Sequence, residues 1–78
     1  MQYEICYMTP TGDAIVLLRA DIAPHHFPAL ALRVADIAAY VPGLCLVAHG
    51  HELTGLVISR HGCVLQGEKV RYYAGIDD

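Results

Sequence analysis

The residues of this chain with the widest chemical reach are its histidines and cysteines. His49-x-His51 and His61-x-Cys63 each put two metal-ligating side chains on one face of an extended strand, because side chains alternate there. Imidazole and thiolate together suit zinc or copper. Whether the two pairs meet depends on register. A two-residue turn at Thr54-Gly55 sets Leu53 against Leu56, His51 against Ile58 and His49 against Arg60, and sends His61 and Cys63 through the other side of the sheet. Pairing shifted by one residue sets His49 against His61 and makes a four-ligand site. A one-residue slip exchanges every face, so the sequence leaves this register open. We read these residues as polar rim and core, with no metal and no other cofactor. A metal-binding or metal-sensing module on His49, His51, His61 and Cys63 is the alternative.

Other reactive arrangements fall away on chemistry. His51-Glu52-Leu53-Thr54-Gly55 matches half of a zinc-protease helix motif, but Gly55 stands where the second His belongs. Cys45 with His49, or Cys63 with His61, lacks a third group to orient the base. Each of Cys6, Cys45 and Cys63 sits in an apolar stretch, where Cys behaves as a small hydrophobe. His25-His26 stands at a helix entrance, where a positive charge opposes the dipole, and reads as a solvated pair. There is no phosphate-binding glycine loop and no clustered carboxylate pair. No catalytic residue is assigned, and the chain is expected not to be an enzyme.

The elements that must position these side chains follow from periodicity. Gln2 to Met8 alternates, with Tyr3, Ile5 and Tyr7 on one face and Gln2, Glu4, Cys6 and Met8 on the other, the pattern of a half-buried strand. Thr9-Pro10-Thr11-Gly12-Asp13 is turn chemistry, and Ala14 to Ala20 returns as a second strand. Phe27, Leu30, Val34, Ile37 and Val41 then recur at three- and four-residue steps among alanines, which predicts a helix starting near Phe27 or Pro28. Pro24 begins a separate turn, and Val41-Pro42-Gly43 ends the helix. Arg33, Asp36 and Tyr40 fall on its outward side. Leu44 to Ala48 and Leu56 to Arg60 read as strands, the second in competition with a short helix over Glu52 to Arg60. Cys63 to Gln66 continues or restarts that strand, Gln66-Gly67-Glu68-Lys69 turns, and Val70 to Ala74 is the last strand. The fold class is therefore α+β. We expect a single domain over residues 1–78, with a small antiparallel meander of four to five strands and one amphipathic helix on a face, in the order strand, strand, helix, strand, strand, strand.

Composition bounds the function. The chain has 78 residues, 55% of them hydrophobic, and a net charge of −3. A domain of this size buries only about 60–65% of its unfolded surface, so some apolar area stays outside the core and marks a contact face. The five cations are scattered and the balance is acidic, which argues against direct nucleic-acid binding. No apolar run reaches membrane-span length. An odd number of cysteines, with no apolar leader, suggests a reducing cytoplasm. The tyrosines Tyr3 and Tyr7 are read as core, and the rest as interface candidates.

Together these features predict a non-enzymatic domain that binds a protein partner, such as a large bacterial complex. Anti-CRISPR-like inhibitors from phages or mobile elements offer an analogy of size and architecture only. The expected contact surface combines Arg33, Asp36 and Tyr40 with Glu52, Glu68, Arg71 and Tyr73. An exposed edge strand that pairs with its own copy would also make a homodimer.

Overall fold

The computed structural model describes residues 1–50 and 52–70. Along the chain run β1 (Gln2–Met8), β2 (Ala14–Asp21), α1 (Phe27–Ala38), β3 (Leu44–Ala48), β4 (Leu56–Ser59), β5 (Gly62–Leu65) and β6 (Glu68–Val70). The α+β class holds, but the expected four to five strands are six, all antiparallel to their neighbours. The extra strand arises because Arg60-His61 is a two-residue loop that reverses the chain, so β4 and β5 are separate partners rather than one strand. The next reversal is also shorter than its sequence suggests. Gln66 and Gly67, at φ 52° and 89°, form the whole turn, which leaves Glu68 and Lys69 inside β6 paired with Leu65 and Val64. Two central residues at positive φ give a turn whose twist matches that of its strands.

The sheet is not a simple meander. Its order is β2-β1-β3-β4-β5-β6, so β1 lies between its hairpin partner and the strand that follows the helix. β2 is left at one edge and runs parallel to β3, with β1 between them. α1 makes this crossover and packs over β3 and β4.

Helix entry follows the residues read from sequence. A 3-10 turn over Pro24–His26 runs directly into α1, with Pro28 in the first turn, where its missing N–H costs no hydrogen bond. The buried stripe differs from the expected one. Phe27, Ala31, Val34 and Ala38 are buried, while Ile37 and Val41 are exposed. Phe27, Ala31 and Val34 make the contact with the sheet core, Leu30 and Ala35 pack beside it, and Ala38 is buried at the helix end. The regular helix stops at Ala38, three residues before Val41, though the N–H groups of Tyr40 and Val41 still bond Ile37 O at 3.0 Å. Gly43 then has φ 92°, and a Cβ there would lie 2.6 Å from Met8 O and 2.8 Å from the Tyr7 ring. Only glycine passes this point without strain.

The sheet's two faces have different fates. Leu46, Ala48, Leu56, Ile58 and Cys63 point toward α1 and form the core with Phe27, Ala31 and Val34. Tyr3, Ile5, Leu65 and Val70 pack at its margin. The reading of Tyr3 as a core contributor therefore stands. On the other face the register lines up Val16, Cys6, Cys45 and Ser59 in one row and Arg19, Glu4, Val47, Val57, Val64 and Lys69 in the next. Among the described residues no helix covers this second face.

Candidate contact surface and thiol pair

The histidine and cysteine pairs are separated by the register that forms. Leu46 pairs with Ile58 and Ala48 with Leu56, so the connection from β3 to β4 is wider than a two-residue turn at Thr54-Gly55. Leu53 N–H and the Thr54 hydroxyl both donate to Gly50 O, at 3.1 and 2.6 Å. His49 leaves the end of β3 and reaches Glu4, its Nε2 3.0 Å from Glu4 Oε1, so it faces neither Arg60 nor His61. His61 is exposed in the β4–β5 loop at the other end of β4, and Cys63 is buried beneath α1. His51 lies outside the described residues. Among the described residues no group of three or more His, Cys, Asp or Glu is placed to hold a metal ion.

Glu4 instead organises a charged cluster. Arg19 Nε donates to Glu4 Oε2 from β2, and His49 meets the other carboxylate oxygen. The Arg19 bond, aided by His49, holds the Glu4 carboxyl below its ordinary range. These residues border an open groove of about 480 Å³ with Gln2, Tyr3 and Asp21. The Met1 ammonium bonds Asp21 Oδ1 at 2.8 Å and Ile22 O at 2.7 Å, and lowers the Asp21 carboxyl in the same way.

The surface expected from sequence is spread over distant parts of the molecule. Arg33 and Asp36 are exposed on α1 and Tyr40 just after it, Tyr40 to 87%, while Glu52 is exposed in the β3–β4 loop and Glu68 at the start of β6. Arg71 and Tyr73 lie outside the described residues. The sheet order puts β6 at one edge and β2 at the other.

The largest exposed apolar feature was not singled out from sequence. Ile15, Val16, Leu17 and Leu18 of β2 keep 49%, 41%, 60% and 47% of their surface in solvent. The signal for it was the unbroken apolar run, which reads equally well as a strand buried on both faces. A β-bulge sits in the middle of this run: Leu18 pairs with Ile5 and Val16 with Cys6, leaving Leu17 as the extra residue. Ile15 pairs with Tyr7, whose ring lies against Gly43. The chain that leaves the exposed helix end, with Ile37, Tyr40 and Val41, re-enters the sheet beside Tyr7 of β1.

The row through Cys6 and Cys45 brings two buried thiols together. Cys45 Sγ donates to Cys6 O at 3.7 Å. Burial pushes both thiols above their usual value, and for Cys45 the neighbouring Cys6 adds to the effect. No family model matches this chain, and no curated protein or solved structure matches it either.

Proposed function

We propose that this chain is a non-enzymatic protein-binding domain whose contact surface is centred on Ile15, Val16, Leu17 and Leu18. One observation carries the reading: four consecutive large apolar side chains stand in solvent on an edge strand. Val16 projects with Cys6 on the face away from α1, while Ile15 and Leu18 project with Tyr7 and Ile5 on the other. This edge therefore offers apolar side chains on both sides of the sheet, and exposed apolar surface of this kind is the usual mark of a protein contact. The bulge at Leu17 interrupts the β1–β2 ladder, and the bend a bulge puts into an edge strand discourages simple strand addition. Side chains rather than main-chain hydrogen bonds then supply the contact, to an apolar patch on a larger protein.

The narrower reading is a phage or mobile-element inhibitor of a bacterial machine, acting in the cytoplasm. Its support is the small size of the domain and the three free cysteines, and the analogy is architectural. Leu17→Asp tests the contact surface. A bacterial extract is passed over immobilised wild type and variant, the retained protein is purified, and its affinity for each is measured. We expect at least a tenfold loss for Leu17→Asp, with the circular dichroism of the variant unchanged. Equal affinities would remove β2 as the site. Sedimentation of the wild type separates self-association from a foreign partner.

A further inference from the structure

Cys6 stands directly opposite Cys45 in the antiparallel register of β1 and β3. In the same ladder His49 N–H donates to Gln2 O at 2.9 Å and Met8 N–H donates to Gly43 O at 2.7 Å. Bonded pairs alternate along an antiparallel ladder, and Cys6 falls an even number of residues from both Gln2 and Met8. Cys6 and Cys45 are therefore a bonded pair, for which Cα atoms lie about 5.5 Å apart. That is also the commonest Cα separation of a disulfide, about 5.5–6 Å, and closure then requires the Cβ atoms to move from roughly 5.5 Å apart, as in a bonded pair, to within about 4.5 Å.

Both side chains leave the ladder on the face away from α1, each 4% exposed. They line a cleft of about 380 Å³ with Met8, Val57, Arg60 and His61. The β2 bulge falls beside Cys6, between its pairing with Val16 and that of Ile5 with Leu18. Cys63 is an internal contrast: equally buried, but held under the helix in the core.

We propose that Cys6 and Cys45 form a dithiol modification site that takes low-molecular-weight disulfides, such as oxidised glutathione, and closes to a cross-strand disulfide. One cysteine loses its proton and attacks a sulfur of the small disulfide. That S–S bond breaks, and the outer sulfur leaves as a thiolate. The second cysteine then loses its proton and attacks the protein sulfur of the mixed disulfide, forming the Cys6–Cys45 bond and releasing the second small thiolate. The two protons end on the two leaving thiols. The protein gives up two electrons, and the small disulfide is reduced. Because burial keeps both thiols protonated, the exchange is slow near neutrality and quickens as pH rises. This site is independent of the β2 contact surface.

The experiment treats the unsubstituted protein with oxidised glutathione at about pH 8, then unfolds it and maps its thiols. We expect the mass to fall by about 2 Da, with no adduct left. Free thiols should drop from the three cysteines to Cys63 alone, and a linked peptide should join Cys6 to Cys45. Dithiothreitol should reverse the change. Cys45→Ser should stop at one glutathione on Cys6. The proposal is overturned by three unreacted thiols, by stable mixed disulfides without closure, or by a bridge that uses Cys63 or a second chain. The decisive measurement is on the wild type, so a variant that fails to fold leaves it intact.

Discussion

Leu46, Leu56 and Ile58 lie beneath α1 with no surface exposed, whereas Ile15, Val16, Leu17 and Leu18 on β2 each keep between 41% and 60% of theirs. The residue types are nearly the same. What differs is their distance from the helix, which packs over β3 and β4 and leaves the β2 edge beyond its reach. Fully burying such a side chain is worth about 1.5–3 kcal/mol, a gain that the residues beneath α1 collect in full on folding and that the β2 residues collect only in part. An apolar strand with about half its side-chain surface in solvent is available for the association proposed above, while the buried residues beneath α1 hold the monomer together.

The sharpest way to break this division is to delete volume under the helix. Ile58→Ala should cost about 2–5 kcal/mol, read as a fall in the denaturation midpoint. A loss below about 1 kcal/mol would mean that the helix does not clamp these residues as their burial implies. Gly43→Ala comes next. It forces a Cβ into Met8 O and the Tyr7 ring at a positive φ, and should cost about 1–3 kcal/mol, because it strains the one point where the helix exit rejoins β1. Leu17→Asp, placed on the β2 edge, should leave stability within about 0.5 kcal/mol of wild type while weakening partner binding. A large stability loss there would show that β2 belongs to the core after all.

The smallest effect concerns the charged cluster at the end of β1. The folded-state pKa of Glu4 is lowered by Arg19 and His49. Its contribution to stability is complete above the ordinary carboxylate range, and is lost as pH falls through the lowered folded value. Glu4→Gln should therefore differ from wild type near neutral pH and converge with it in acid. Denaturant unfolding at a series of pH values checks this, and a gap that stays constant down to the acid limit would sink it.

Much of the architecture was legible because it is written in local periodicity. The alternation of Gln2 to Met8 marks β1, and three- and four-residue spacing marks α1 with Pro28 in its first turn. Leu56 to Ser59 is a strand, as its β-branched residues indicate. The helix stripe was misjudged because large apolar residues dominate a spacing argument, whereas the small Ala31 and Ala38 are buried. The wide β3–β4 loop was hidden because Thr54-Gly55 is acceptable turn chemistry in either arrangement.

The order of residues alone determined where β1 and α1 form and which side chains of β1 share a face, since both follow from backbone geometry within a few residues. It also placed Cys6 and Cys45 each on a strand. Only the tertiary structure decided that β1 inserts between β2 and β3, which sets the two thiols opposite each other across 39 residues of chain and strands β2 at the edge. Pairing between distant segments depends on which strands one short helix can cover, and no local pattern contains that information.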